Sequence, residues 1–222
     1  MVQRDKDADR FAAARDELLD SVLKSSGDVR VRSAMRRVPR EKFVPPELIT
    51  DAYKNVALPI GDRQTISQPL IVEQMSTALR TRPGDKVLEV GTGSGYQAAI
   101  LSLLVSEVIS VELIPRLANE ARERLSCLGF ENVRVMQSNE SLGWPVDAPY
   151  DGIIVTAGAP ELPIQLLEQL VVGRRMIVPV GPIGKQELLL VTKFADRHEV
   201  QNLGLCAFVP LIGRDAWPPE FD

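Results

Sequence analysis

Three closely spaced glycines follow an apolar run in the segment "KVLEVGTGSGYQAAIL", residues 86–101. Gly91, Gly93 and Gly95 predict a turn between a strand and a helix, because glycine lets the backbone pass close to a ligand. The helix that follows presents its free N-terminal N–H groups to the same ligand. A strand, turn and helix in this order are typical of proteins that bind a nucleotide-like molecule.

Three kinds of ligand are compatible with such a turn. A phosphate-binding loop needs Gly-Lys-Ser or Gly-Lys-Thr, which this segment lacks. A dinucleotide site needs G-x-G-x-x-G, and here Tyr96 takes the place of the third glycine while Gly95 comes one residue early. S-adenosyl-L-methionine (AdoMet) carries no pyrophosphate, so its turn has only to pass close to a ribose and an amino-acid group.

Two carboxylates near the turn favour AdoMet as the cofactor, with S-adenosyl-L-homocysteine as its product. Glu89, two residues before Gly91, would repel a pyrophosphate but can bind the methionine ammonium, directly or through water. Glu112 ends the next predicted strand, where a carboxylate can accept hydrogen bonds from both ribose hydroxyls. NAD-binding proteins share that second acid, and Glu112 could instead cap the helix that begins at Pro115, so it does not decide alone.

The elements that must position these residues alternate regularly from Lys86 onward. Strands are predicted at 86–91, 107–113, 132–137, 151–158 and 174–181, with helices at 95–104, 115–129 and 162–171. This alternation predicts an α/β fold with a doubly wound, mostly parallel, Rossmann-like sheet. Two further strands, 186–194 and 200–213, are joined by a short turn and predict an antiparallel C-terminal hairpin, which brings the sheet to seven strands.

The first 80 residues follow a different pattern. We predict a helix over Asp5–Ser25, a second one ending before Pro39, an irregular proline-rich stretch, and a helix over Pro69–Leu79. We divide the chain into an N-terminal helical extension (1–80) packed on the core, an AdoMet-binding core (81–213) and a tail (214–222), all within a single structural domain.

Composition narrows the range of partners. The formal net charge is -4 over 222 residues, which disfavours electrostatic binding to the phosphate backbone of nucleic acid. The charged N-terminus does not read as a secretory signal, and the apolar run "AAILSLLV" is too short to span a bilayer. We therefore expect a cytoplasmic protein without nucleic-acid or membrane partners. Two cysteines and one histidine predict no disulfide framework and no metal site.

An ordered series of motifs gives the chain a resemblance to a known family. The motifs "FVP", "AY", "LPIG" and "QTISQP" precede the glycine turn, and "LGWPVDAPYDGIIVTAGAPELP", "QL" and "VPVG" follow it. From about Val29 to Gly213 the chain closely resembles the protein-L-isoaspartate (D-aspartate) O-methyltransferases. "GTGSG" alone is shared by many methyltransferases, whereas "QTIS" before it and "APYDGIIVTA" after it are specific in combination.

The resemblance implies a class I methyltransferase fold with an AdoMet pocket at the C-terminal ends of the strands. It implies methylation of the α-carboxylate of L-isoaspartyl residues in damaged proteins or peptides, whose ester then closes to a succinimide. It also implies Ser67 as the active-site residue. We expect these proteins or peptides as partners and a monomeric enzyme. The cofactor-binding candidates are Thr65, Ile66, Glu89, Gly91, Thr92, Gly93, Ser94, Glu112, Leu113, Asn139 and Glu140.

The chain departs from the family pattern at three places. Ser138, Asn139 and Glu140 stand where Gly-Asp-Gly is usual, and the neutral Asn139 makes a weaker acceptor for the adenine amino group than aspartate would. Arg63 and Arg174 occupy positions where the family has glycine. Arg63 either carries a solvated surface charge or attracts a carboxylate substrate.

The implied chemistry needs few groups. A carboxylate nucleophile has a reference pKa of about 3.5 to 4, so it is already ionised and needs no general base. The Ser67 hydroxyl can orient it, whereas a lone Ser-x-Pro would more simply cap the helix at Pro69. The alternatives are a carboxyl methyltransferase with another dedicated peptide substrate, a non-catalytic AdoMet-binding interaction protein, and a nicotinamide oxidoreductase, which would lack the third glycine.

Overall fold

The computed structural model describes residues 2–21, 28–138, 141–214 and 216–218. The strands in these ranges are β1 Leu58–Gly61, β2 Gln64–Ile66, β3 Lys86–Val90, β4 Glu107–Glu112, β5 Val133–Gln137, β6 Tyr150–Val155, β7 Leu170–Val180, β8 Gln186–Lys193 and β9 His198–Cys206. The α-helices are α1 Val2–Ser21, α2 Val29–Arg37, α3 Pro69–Leu79, α4 Tyr96–Ser102, α5 Pro115–Cys127 and α6 Ile164–Glu168. Short 3-10 helices lie at Arg40–Lys42, Pro46–Asp51 and Pro145–Asp147.

A seven-stranded sheet with the order β5-β4-β3-β6-β7-β8-β9 forms the centre of the fold. The strands from β5 to β7 pair in parallel, while β8 and β9 add to the edge as an antiparallel hairpin. The predicted fold class is therefore confirmed, including the C-terminal hairpin and the N-terminal helical region.

The central strands are buried on both faces of the sheet, as parallel strands covered by helices must be. Val87 and Val108 pack into one apolar cluster, and Leu88 and Ile109 pack into a second one. Such strands read as continuous apolar runs, which is why "KVLEV" and "EVISVE" could be recognised from the sequence. The first cluster also contains Met35 and other residues from the first 80, which thus pack on the core. The proposed division into three segments stays a prediction.

The predicted helix over Pro69–Leu79 is confirmed residue for residue. The helix predicted over Asp5–Ser25 is observed as α1, and residues 22–25 lie outside the described ranges. Among the described residues, no helix combines the length and the apolar character needed to cross a membrane.

The stretch that we predicted to be irregular contains a β-hairpin. Strands β1 and β2 are antiparallel and are joined by Asp62 and Arg63, whose φ angles are 46° and 56°. Two left-handed residues in a two-residue loop are typical of a type I′ hairpin turn. The hairpin is attached to α5 by an ion pair between Asp62 and Arg116 at 2.7 Å, and it leads directly into Ser67.

The prediction of a last strand over 200–213 is wrong beyond Cys206, because β9 ends at that residue. The Gln186 side-chain amide replaces a neighbouring strand here, because Phe208 donates its N–H to Oε1 at 3.0 Å and accepts from Nε2 at 3.3 Å. The chain then leaves the sheet. Gly158, which follows β6, fixes the next segment. Its N–H donates to the Val209 carbonyl at 2.8 Å, and its carbonyl accepts from the Leu211 N–H at 2.9 Å.

The end of α3 yields a stability prediction. Arg80 closes this helix in the left-handed conformation, at φ 52° and ψ 51°. This conformation costs an L-residue about 1–2 kcal/mol, whereas glycine adopts it freely. We expect Arg80→Gly to raise the free energy of unfolding by about 0.5–1 kcal/mol, because the greater freedom of glycine in the unfolded chain offsets part of the gain.

Urea unfolding of both proteins measures this difference. Arg82→Gly is the matched control, since Arg82 is also exposed and does not have a positive φ. Equal effects of the two substitutions would contradict the assignment of strain to Arg80.

Candidate active site

A cleft of about 940 Å³, counting its open mouth, lies at the C-terminal ends of β3, β4 and β6. Four stretches of chain contribute most of its lining, namely residues 64–67, 89–94, 111–114 and 209–212. Strands β4 and β6 flank β3 on opposite sides, and the crevice outside such a switch point is where open α/β sheets bind their ligands.

The glycine turn is fixed by its close approach to neighbouring strands. The N–H groups of Gly91 and Thr92 both donate to the Val111 carbonyl of β4, at 2.8 and 3.2 Å. Gly91 has a φ of 101°, and a Cβ atom there would lie 2.4 Å from Oγ1 of Thr156. This position therefore accepts only glycine.

Gly95 performs the packing role that a dinucleotide motif gives to its third glycine. It precedes α4 in the left-handed conformation, and a Cβ atom on it would lie 3.2 Å from Leu125 of α5. The spacing of the motif thus differs from G-x-G-x-x-G. Gly95 nevertheless allows the close packing that the third glycine would allow one residue later.

Glu89 is a fully buried carboxylate in the cleft wall. Its Oε2 accepts a hydrogen bond from the Ser110 hydroxyl, while Oε1 has no partner among the described residues. Burial raises the pKa of Glu89 to about 8; the Ser110 hydrogen bond opposes the shift and the charge of Glu112 adds to it. A buried acceptor without a donor is costly to leave unpaired, so this position fits a ligand that brings an N–H group.

Glu112 is held by two backbone N–H groups. Gly93 donates to Oε2 at 2.7 Å, and Ile114 donates to Oε1 at 2.9 Å. A carboxylate has about four lone-pair sites, so both oxygens keep capacity for ligand hydroxyls. The capping alternative is wrong, because Ile114 is the N-cap residue of α5 and no described side chain caps this helix; Glu112 bonds the N–H of Ile114 outside it.

Thr65, Ile66 and Ser67 line the cleft on the side formed by the hairpin. The residue that caps α3 is Gln68, which makes no side-chain capping bond. No described residue hydrogen-bonds the Ser67 hydroxyl, whereas its carbonyl accepts from Nη2 of Arg40 at 2.8 Å. The interpretation of Ser67 as a helix cap is therefore wrong, and its hydroxyl remains available to a ligand.

The structure brings the predicted site residues together wherever it describes them. Those that line the cleft are Thr65, Ile66, Ser67, Glu89, Gly91, Thr92, Gly93, Ser94, Glu112 and Leu113. Asn139 and Glu140 lie outside the described residues. Ser138, just before them, lines the cleft and donates its N–H to the Glu112 carbonyl at 2.7 Å.

Several lining residues were missed. The Thr156 hydroxyl at the end of β6 donates to the Val90 carbonyl at 3.0 Å and to that of Gly91. Gln97 presents a buried Oε1 without a partner among the described residues, while its Nε2 donates to Ser76 at 2.9 Å. Residues 209–212 were assigned to a strand, which hid their place in the cleft wall. The position of Thr156 at the end of a parallel strand was a usable signal.

The chain is similar in sequence to proteins of one known family. The sequence model described as "Protein-L-isoaspartate(D-aspartate) O-methyltransferase" matches residues 13–216. The chain belongs to this family. A curated relative in Methanoculleus marisnigri, named protein-L-isoaspartate O-methyltransferase, is 45% identical over 96% of this chain and 98% of its own length. Protein-L-isoaspartate O-methyltransferase 2 of Marinobacter nauticus is 49% identical over 89% of this chain and 91% of its own.

Two solved structures share the fold of this chain. One described as a protein-L-isoaspartate O-methyltransferase superposes with a TM-score of 0.81 at 27% identity, covering 91% of this chain and 67% of its own. A second, from Plasmodium falciparum in complex with S-adenosyl-L-homocysteine, gives a TM-score of 0.75 at 22% identity, covering 89% of this chain and 96% of its own. The latter likeness shows the shared fold.

The buried carboxylate in the cleft yields a prediction on pH. Between the ordinary pKa of 4.5 and the folded value of about 8, Glu89 keeps a proton in the folded protein that the unfolded chain has lost. The free energy of unfolding therefore falls as pH rises through this window and does not change further above it on this account. Relative to the wild type, Glu89→Gln should gain stability over the same window, on the order of a few kcal/mol at about 1.4 kcal/mol per pKa unit.

Urea unfolding of both proteins without ligand at pH 5 and pH 8 tests this expectation. The exposed Glu161→Gln controls for the loss of a carboxylate from the surface. A stability difference between Glu89→Gln and the wild type that stays constant between the two pH values would refute the link between burial and protonation.

Proposed function

We propose that this chain transfers a methyl group from AdoMet to the α-carboxylate of L-isoaspartyl residues in damaged proteins or peptides, which starts their repair through a succinimide. The observation that carries the proposal is one cleft in which the glycine turn, two carboxylates and the free hydroxyl of Ser67 face the same space. Membership of the family supports the choice of substrate.

The residues of the cleft fit the cofactor. When bound, AdoMet supplies a methyl group on a positively charged sulfur and leaves as neutral S-adenosyl-L-homocysteine. We assign its ammonium to the unpartnered Oε1 of Glu89, and its ribose hydroxyls to Glu112. We assign the adenine amino group to the side-chain oxygen of Asn139. The other candidates that the structure describes line the cleft around these contacts.

The reaction then depends on alignment and on exclusion of water. The substrate carboxylate is ionised at neutral pH and needs no base. The one histidine, His198, is exposed on β9 and does not line the cleft. We assign to the Ser67 hydroxyl a hydrogen bond that orients the carboxylate toward the methyl group. Ile66 and the apolar residues at 209–212 limit the access of water.

We also propose that the enzyme is monomeric and cytoplasmic, and that it has no nucleic-acid or membrane partner. The net charge of -4 supports the expectation on nucleic acid, because phosphate binding needs a basic surface.

The test of the function is transfer of labelled methyl from AdoMet to an isoaspartyl peptide, compared with a twin that contains aspartate at the same position. We expect labelling of the isoaspartyl peptide alone. AdoMet binding without labelling of either peptide would favour the non-catalytic alternative. Labelling of a different peptide only would favour the dedicated methyltransferase, and binding of NAD without AdoMet would favour the oxidoreductase.

The role of Ser67 yields a separate prediction. We expect Ser67→Ala to lower kcat by about 100-fold, because the carboxylate loses the hydrogen bond that orients it toward the methyl group, with the AdoMet dissociation constant changed less than about twofold. Ser106→Ala is the control, because its hydroxyl bonds the Gly84 and Asp85 carbonyls away from the cleft. Loss of AdoMet affinity with normal turnover of the bound complex would refute the assignment.

A further inference from the structure

Arg40 is a charged side chain without exposed surface, and the mechanism above does not use it. It lies in the 3-10 helix Arg40–Lys42. No carboxylate in the described ranges forms an ion pair with it. Its Nη1 has no hydrogen-bond partner among the described residues. A guanidinium taken out of water without a counter-charge and with one nitrogen unpaired is unfavourable, so the contacts that it does make indicate its purpose.

These contacts join three separate parts of the chain. Nε donates to the Ala52 carbonyl at 2.8 Å, and Nη2 donates to the Ser67 carbonyl at 2.8 Å. The guanidinium carbon lies 4.7 Å from the centroid of the Tyr96 ring. Tyr96 is the first residue of α4, directly after the glycine turn, and it lines the cleft. Phe43 packs edge-on against the same ring at 5.5 Å and limits its rotation.

Arg40 thus spans the two halves of the cleft. Its Nη2 holds Ser67, the residue assigned to the substrate. The face of its guanidinium packs on the ring of Tyr96, which directly follows the glycine turn. Lysine could not replace it, because an ammonium offers a point charge, whereas the planar fork of arginine reaches two carbonyls and stacks on a ring at the same time.

We propose that Arg40 is a positioning residue for Ser67, which fixes the backbone of Ser67 relative to Tyr96 and so sets the place of its hydroxyl against the cofactor turn. This proposal rests on the proposed function. A change at Arg40 should therefore affect turnover through Ser67 and leave the cofactor contacts of Glu89 and Glu112 in place.

A double-mutant cycle of Arg40→Lys and Ser67→Ala tests the proposal, with kcat and KM for an isoaspartyl peptide and the AdoMet dissociation constant as readouts. We expect Arg40→Lys alone to lower kcat about tenfold, since a small misplacement of an orienting group is costly to rate. We expect AdoMet affinity within twofold of the wild type. In the Ser67→Ala background the same substitution should change kcat by less than about twofold, because the group it positions is gone.

Losses in kcat that multiply in the double variant would overturn the proposal, since a general structural defect does not depend on Ser67. Arg175→Lys is the matched control, because this partly buried arginine donates to the Ala78 carbonyl at 2.9 Å outside the cleft. It should leave kcat within twofold, and a tenfold fall there would also count against a specific role for Arg40.

A second variant covers the case in which Arg40→Lys does not fold. Arg40→Gln removes the buried charge and keeps an amide donor, and the cycle is then run with it under the same two criteria. Methyl transfer by the wild type is measured first with the isoaspartyl and aspartyl peptides. Absence of transfer by the wild type contradicts the proposed function, whereas an active wild type with multiplicative losses contradicts only the role of Arg40.

Discussion

The cleft depends on a close approach between the ends of β3 and β6 at Gly91, a residue that has no side chain. Gly91 leaves β3 so close to Thr156 at the end of β6 that a single methyl group would collide with the threonine hydroxyl. That hydroxyl bonds the carbonyls of Val90 and Gly91, so the same contact that excludes a side chain also holds the turn. Glu89, the glycine turn and Glu112 take their positions from this approach. A wider separation would move all three relative to one another.

Burial of the Glu89 carboxyl group in the cleft wall costs free energy, which packing elsewhere in the fold must offset. Among the described residues, Glu89 is buried with one oxygen unpaired, and the side-chain oxygen of Gln97, which also lines the cleft, has no partner either. Folded proteins usually satisfy such groups, and those that do not are found at functional sites. The mostly buried strands β4 and β6 on either side of β3 provide the stability that permits this exception. Ligand binding would relieve the cost, which couples occupancy of the cleft to the stability of the fold.

The sequence predicted the cofactor half of the site better than the substrate half, for a physical reason. Residues 86–113 form one local strand–turn–helix–strand unit, whose apolar runs and glycines report its shape directly. The hairpin before Ser67 has a type I′ turn built from Asp62 and Arg63, without the glycine that would have revealed it. The wall at 209–212 depends on two distant residues: Gln186, whose side chain bonds the Phe208 backbone, and Gly158, whose backbone bonds Val209 and Leu211. Contacts between remote residues leave no local pattern.

The departures from the family pattern differ in how close they come to the cleft. Arg174 pairs with Asp85, which precedes β3, and lies 3.5 Å from Asp151 near the start of β6, at the opposite end of the sheet. Arg63 belongs to the hairpin turn and does not line the cleft. Ser138 does line it and is tied through its N–H to Glu112. Of these three described residues, Ser138 is therefore the one placed to contact a ligand in the cleft.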